Sequence, residues 1–510
     1  MPTTQQKIQE LDVLAAKSKQ LNEDGKRIVL CHGTFDLIHT GHIRHLQEGK
    51  KQGDILFVTI TADKCVNKGP GRPVFSEMLR AENLSALSCV DYVGIVHTQT
   101  AEQPITKIKP HIYVKGNEYK NATDDLTGNI TKEKQLVEKF GGEIYFTNDI
   151  TFSSSSLLNE HFGVFSDETR DYLSKIGERH TSKQVIQSME ALKNLKVLVL
   201  GDTIIDEYHY TVPLGQSAKG HHLAVKYQST EKFAGGVLAV ASHIAGFVDN
   251  VTLVTALGEN DSHETFIRSK LQDEVEPVFF YKKESRTLVK RRFVDMDLVK
   301  LFEVYLTDED ELLPLELDEK ICAWLDIKLS GFDVVIIPDF GHGFSTDKII
   351  RVLEEKSKYM AVNAQVNSGN RGYHAISRYS RADLVSLNEP ELRLATHNRY
   401  DSVETLAEKI RQTVNAKHVS ITRGTNGAIM LSRDENEIHR APVLSTKVID
   451  RIGAGDAFLS LAGIGLGAGL SSELTTFIAS AAAAIDVQIV CNRDPIAPVD
   501  LYKYITTLLK

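Results

Sequence analysis

Two short stretches of this 510-residue chain hold residues whose types and spacing could do chemistry. The first is His39-Thr40-Gly41-His42, between a β-like run, Arg27-Ile28-Val29-Leu30, and an amphipathic pattern through Ile43 and Leu46. A helix starting here offers unpaired backbone N–H groups and the positive end of its dipole, a good phosphate site. Imidazoles three residues apart on a first turn face one side and can donate to the same anion. Gly41 lacks the Cβ that would hold a triphosphate off the backbone. The chemistry that wants this is nucleotidyl transfer, in which charge develops on an α-phosphate under in-line attack. The second stretch is Gly453-Ala454-Gly455-Asp456. Glycines flanking an alanine at a helix start leave N–H groups pointing into a cavity, an anion hole for a transferring phosphoryl group. An aspartate directly after it can accept a proton from an attacking hydroxyl.

Elements able to position both stretches are legible around them. Ile55–Ile60, Tyr92–Val96, Ile112–Val114 and Glu143–Phe146 are β-like runs, and a helical pattern covers Met78–Leu87. Strand–helix alternation predicts a doubly wound parallel sheet with its sites at the carboxyl ends of strands. Ser166–Asn194 is charged and helix-prone without a β-run, and reads equally as a helical connector or as a surface helix of either neighbour. A buried strand then opens at Lys196–Leu200 and ends on Gly201-Asp202. The division expected is 1–163, a connector over 164–195, and 196–510, since one core does not serve a chain this long.

Composition narrows the class. A hydrophobic content of 42% with 25% charged residues describes an ordinary soluble protein. A net charge of -9 argues against nonspecific nucleic-acid binding, so the basic loop Lys68–Arg72 reads as a phosphate site. Five cysteines without a CxxC pair favour a reducing compartment, with neither disulfides nor structural zinc. The polar start MPTTQQKIQELD is no signal peptide, and the apolar run Ala457–Leu470 is too short and Gly-rich to span a bilayer. A cytoplasmic protein without membrane insertion is expected.

The stretch GTFDLIHTGH resembles the nucleotidyltransferase superfamily that includes glycerol-3-phosphate cytidylyltransferase. Three further runs match in order: Lys68-Gly69-Pro70-Gly71-Arg72-Pro73 with Arg80, Tyr113–Tyr119 (YVKGNEY), and the serines 153–156. The resemblance implies His39 and His42 as catalytic residues. It implies nucleotide contacts from Gly33, Thr34, Phe35, Thr40, Gly41, Lys68, Arg72, Arg80, Lys115, Ser154 and Ser155.

Asp450–Phe458 resembles the DTGAGD box of the ribokinase-like (PfkB) carbohydrate kinases, whose other motifs follow the family's order over residues 196–510. The resemblance implies sugar binding by Asp202, Asp206, Gly235 and Gly236. It implies phosphate and nucleotide binding by Asn388, Glu391, Thr422, Gly424, Gly427, Gly453, Ala454 and Gly455. Glu391 would act on magnesium indirectly, and Asp456 would be the base. Polar β-like segments at Tyr208–Tyr227 and Thr287–Tyr305 read either as surface hairpins or as the family's lid over the sugar. Such lids often pair between subunits, so a homodimer is expected.

Together the halves resemble the bifunctional heptose kinase/adenylyltransferases, in reversed order. The sugar side departs from that pattern: Ala239 stands where an asparagine is usual, His342 replaces a lysine, Ile452 a threonine, and Asn363–Arg371 a DPKG-like segment. These changes imply an acceptor other than heptose 7-phosphate, although a heptose-like sugar remains the nearest guide. The fold class implied is α/β, with two doubly wound parallel-sheet domains and a small β lid. The function implied is ATP-dependent phosphorylation of a sugar or sugar phosphate, and transfer of a nucleotidyl group from ATP or CTP to a sugar 1-phosphate, both with Mg2+. The alternative is a single nucleotidyltransferase whose kinase-like half is a binding or assembly module.

Overall fold

The computed structural model describes residues 4–117, 129–147, 165–308, 312–367, 369–435 and 437–510. They fall into two compact units, Met1–Ser166 with Tyr502–Lys510, and Asp167–Leu501.

The first unit is built on β1 (Ile28–Gly33), β2 (Ile55–Thr61), β3 (Tyr92–Val96), β4 (Ile112–Gly116) and β5 (Glu143–Thr147). All pair in parallel, in the order β3-β2-β1-β4-β5. Side chains alternate across a strand, and here both sets are apolar. Val29, Cys31, Leu56, Val58 and Val114 pack on one face, and Ile28, Leu30, Phe57 and Tyr113 on the other. The chain winds outward through β2 and β3, then returns to lay β4 on the far side of β1. That reversal opens a crevice at the carboxyl end of β1. The helix α1 (Thr40–Lys50) starts there.

The second unit carries β6 (Lys196–Leu200), β7 (Thr203–Gln216), β8 (Leu223–Gly236), β9 (Asn250–Asn260), β10 (Val275–Arg286), β11 (Val289–Val294), β12 (Lys300–Leu306), β13 (Val334–Asp339), β14 (Met360–Ala364), β15 (Leu384–Asn388), β16 (His418–Thr422), β17 (Ala428–Ser432) and β18 (His439–Ala441). Nine form one sheet, β10-β9-β6-β13-β14-β15-β16-β17-β18, parallel as far as β16 and antiparallel at β17 and β18. The other four form a separate sheet, β12-β11-β7-β8, from the two polar segments read as hairpins or lid. Four helices matter to the sites: α2 (Val237–Ala245), α3 (Glu389–Thr396), α4 (Ala454–Gly467) and α5 (Pro498–Leu508).

The helices Asp167–Arg179 and Ser182–Glu190 are counted with the second unit, where Tyr172 packs on Phe477 and Arg179 pairs with Glu473. Most of Ser166–Asn194, read either as a connector or as a surface helix, is thus counted with the second unit. It also sends Tyr502–Lys510 to the first unit, a return that no local sequence signal announces. The apolar run at Ala457 is the buried body of α4, a core helix. Among the described residues no helix is long and apolar enough to cross a membrane.

Candidate active sites

In the first unit the residues between β1 and α1 make a strained turn. Phe35 sits at φ 48°, uncommon for a bulky residue, and its ring meets His42 edge-on at 5.3 Å. His39 is the N-cap of α1, and its Nδ1 accepts the Gly41 N–H at 3.1 Å. A neutral His39 therefore carries its proton on Nε2. His42 stacks on it, with ring centroids 4.1 Å apart and planes 25° apart. Its Nδ1 lies 3.1 Å from the Leu37 carbonyl, which can only accept, so Nδ1–H donates and Nε2 is left for a ligand. Burial holds the His42 imidazole down at about 3, helped by His39 and Lys68, and burial also lowers His39. Both rings rest neutral, in a place where an arriving phosphate would favour their protonated forms.

Around the pair, His32 is half-buried and bonded through Nδ1 to Thr59 at 3.0 Å, with its pKa pushed down to about 3 by burial, then by Lys115 and Lys68. Lys115 reaches Glu133 at 2.9 Å. Burial lowers Arg72, against the pull of Asp36. Thr40 and Gly41 open α1, Gly33 closes β1 and Thr34 follows it.

Arg80 corrects an expectation. Its side chain is fully buried and donates to the carbonyls of Phe75 (3.0 Å), Thr34 (2.6 Å) and Thr61 (2.8 Å), and to Asp63 (2.6 Å). It is a clamp joining the turn after β1 to the helix that begins at Glu77, with four of its five N–H groups engaged. Ser154, Ser155 and the end of the YVKGNEY run lie outside the described residues. Asp36 escaped the sequence reading: its carboxylate accepts the N–H groups of Val74 (2.8 Å) and Phe75 (3.0 Å), pinning the end of the basic loop.

In the second unit, Gly453 is the N-cap of α4, with φ 104° and a Cβ position only 2.7 Å from Asp486 Oδ2, so glycine is required there. Ala454 and Gly455 form the first turn, and Asp456 follows. Burial raises the Asp456 carboxyl to about 7, with Asp206 and Glu391 pushing the same way and Lys290 opposing. Three groups from distant parts of the chain thus act on the Asp456 carboxyl.

Asn388 and Glu391 cap α3 reciprocally. The Asn388 N–H donates to Glu391 Oε2 at 2.9 Å, and the Glu391 N–H to Asn388 Oδ1 at 2.8 Å. Burial raises Glu391 to about 7. Asn388 stands beside Thr422 in the β15–β16 register, which brings the Asn388–Glu391 motif next to the turn of Gly424 (φ 56°) and Gly427 (φ 73°). Among the described residues no group of His, Cys, Asp or Glu side chains holds a metal unaided. The raising of Asp456 by Glu391 does fit a cation that arrives with phosphates and keeps its waters.

The residues expected to bind the sugar lie on or beside β6, β7 and the separate sheet. Asp206 pairs with Arg292, and its carboxylate lies so close over Gly235 that any Cβ there would collide, at 2.0 Å. Gly236 is the N-cap of α2. Asp202 accepts the N–H groups of His342 (3.1 Å) and Phe344 (3.0 Å), so it shapes the loop after β13, and burial beside Asp339 raises it to about 6. His342, where a lysine was expected, is held neutral at about 3 by burial, then by Lys290. Ala239 is buried in α2. Lys290 and Arg292 were missed. They sit two residues apart on β11, hence on one face, and the parallel register sets Lys290 opposite Asp206. Lys290 is buried, which lowers its pKa against the pull of Asp206, and its ammonium lies 5.2 Å over the Tyr305 ring. The signal available was cations at alternate positions of an otherwise β-like run.

Comparison with known proteins adds the family. The model of the pfkB family carbohydrate kinases matches residues 194–495, and that of cytidylyltransferase-like proteins matches residues 30–161. Curated relatives include two proteins called bifunctional protein HldE. That of Pelobacter propionicus is 36% identical over 156 residues, 30% of this chain and 30% of the relative. That of Geotalea uraniireducens is 36% identical over 161 residues, 31% of each. The chain thus covers about a third of the length of these relatives. Among solved structures, a ribokinase from Thermotoga maritima is 18% identical with a TM-score of 0.48, covering 61% of this chain and 99% of that one. Escherichia coli phosphofructokinase-2 with fructose-6-phosphate is 17% identical with a TM-score of 0.49, covering 62% and 100%. The chain belongs to the pfkB family of carbohydrate kinases, and a cytidylyltransferase-like domain precedes its kinase domain.

Proposed function

We propose that this chain is a bifunctional enzyme of sugar-nucleotide synthesis. One half phosphorylates a heptose-like sugar phosphate with ATP. The other transfers a nucleotidyl group from ATP or CTP to a sugar 1-phosphate and releases pyrophosphate. The observation that carries the reading is the gathering of Asp456, Asp206, Glu391 and Lys290 at the N-terminus of α4. A carboxylate poised at about 7 is matched to taking a proton at neutral pH. Asp456 takes the proton of the acceptor hydroxyl as its oxygen bonds to the γ-phosphorus. The bond to the β-phosphate oxygen breaks, and ADP leaves while the first turn of α4 holds the transferring group's oxygens. Magnesium bound with the ATP would neutralise phosphate charge, and Glu391 would orient it through water. Lys290 and Arg292 supply the cations that the exchange at His342 removed, so a phosphorylated acceptor is favoured over a free sugar. In the transferase half, an oxygen of the sugar 1-phosphate attacks the α-phosphorus and pyrophosphate departs. His39 and His42 donate to the charge that develops.

The name of the curated relatives, a bifunctional protein, supports the pairing of two activities. A cytoplasmic homodimer joined through the four-stranded sheet fits the exposed Leu214, Tyr227 and Phe302 on it. The test is a panel of ATP and CTP against sugar 1-phosphates, read by pyrophosphate release, together with ATP consumption on heptose 7-phosphate, other sugar phosphates and free sugars. Activity in both assays is expected. Pyrophosphate release without any ATP consumption would leave the second half a binding module.

A further inference from the structure

Residues 502–510 belong to the first unit, although the kinase family match ends at residue 495 and the transferase match at residue 161. They comprise the end of α5 and the two residues after it. Thr507, only 7% exposed, lies with Oγ1 2.8 Å from the Lys68 carbonyl and 2.9 Å from that of Lys503. Its single proton is shared between a helix-internal acceptor and the basic loop. The fit is close in shape as well. Gly69 adopts φ +92°, and a Cβ there would stand 2.9 Å from both Cβ and Cγ2 of Thr507. At the loop's other end, Asp36 grips Val74 and Phe75. Between those anchors the positive charge of Lys68 is felt at both His42 and His32.

We propose that Thr507 is a positioning residue for nucleotidyl transfer: it holds Lys68-Gly69 so that the Lys68 ammonium faces the imidazole pair and the triphosphate. Residues 502–510 thereby complete a site that the first 166 residues alone leave unbuttressed. The inference rests on the nucleotidyl-transfer reading given above. No local pattern marks it, because the two partners stand 439 positions apart in the chain.

Full-length wild type, Thr507→Val and Thr507→Ser are compared in two measurements. One is pyrophosphate release with ATP and CTP against sugar 1-phosphates. The other, without nucleotide, is backbone amide exchange over residues 66–72. Loss of one hydrogen bond should raise KM for the nucleoside triphosphate by roughly three- to tenfold in Thr507→Val. KM for the sugar 1-phosphate should not move, exchange at residues 68–70 should quicken, and Thr507→Ser should restore both. Wild-type KM and wild-type exchange in Thr507→Val overturn the proposal. So does an even loss across kcat and both KM values, which a merely structural role would produce. If the wild type releases no pyrophosphate with any donor, the functional reading fails by itself. Exchange then decides the contact alone: quickening in the valine variant but not the serine variant upholds Thr507 as the residue that holds Lys68-Gly69, and no change overturns it.

Discussion

Replacing Arg80 by methionine keeps most of the side chain's volume and removes its guanidinium. Three backbone carbonyls, those of Thr34, Thr61 and Phe75, lose a donor. Asp63 loses its partner too, but at 37% exposure water can solvate it. Truncating one side of a buried, hydrogen-bonded charge typically costs about 3–5 kcal/mol. For a unit of this size each kcal/mol lowers the melting temperature by about 2–4 °C. The transition of the first unit should therefore fall by roughly 6–20 °C in calorimetry of the full chain, while that of the second stays in place. Transferase KM for the triphosphate, measured well below the new transition, should remain within about twofold of wild type. The reverse pattern, an unmoved transition with a strongly raised KM, would show that Arg80 binds nucleotide and that the clamp is incidental.

Four further outcomes are expected. Asp456→Asn should abolish ATP consumption with acceptor while leaving nucleotide affinity intact by calorimetry, because the anion hole remains. Since the carboxyl titrates at about 7 and must be unprotonated to act, kinase kcat should fall as pH drops through that value. His39→Ala and His42→Ala should each cut pyrophosphate release about a hundredfold or more without touching phosphorylation, as donors used in a transition state do; near-normal turnover would remove them from the mechanism. Lys290→Met should lower kcat/KM for phosphorylated acceptors by about tenfold to a hundredfold and leave free sugars unaffected, the range of a lost charge-assisted hydrogen bond.

Local pattern revealed the strands and the two helix starts that carry chemistry, because each is written in consecutive residues. Tyr92–Val96 and Lys196–Leu200 coincide with their β-runs, and Gly453–Asp456 opens a helix as its glycines imply. Roles set by pairing across the fold were hidden. Lys290 meets Asp206 only because β11 runs parallel to β7 in a register that sets the two opposite each other. Arg80 looked like a phosphate ligand, as an arginine near a basic loop does, until burial turned it toward carbonyls. Asn388 and Glu391 were read as a phosphate and magnesium motif. The same two residues also make a capping box, so their spacing serves helix initiation whatever else they bind.

The split composition of the first unit also bears on how the chain is made. Residues 1–166 emerge first, yet Thr507 is added only after the whole second unit has been translated. At about 5–20 residues per second, that interval is on the order of 20–70 s. On the positioning role proposed for Thr507, the Lys68-Gly69 turn lacks its buttress during that interval, and nucleotide capture by the first unit would wait until the kinase domain behind it has been synthesised. A transcript broken late in the message would then leave the first unit without the contact that the proposal requires.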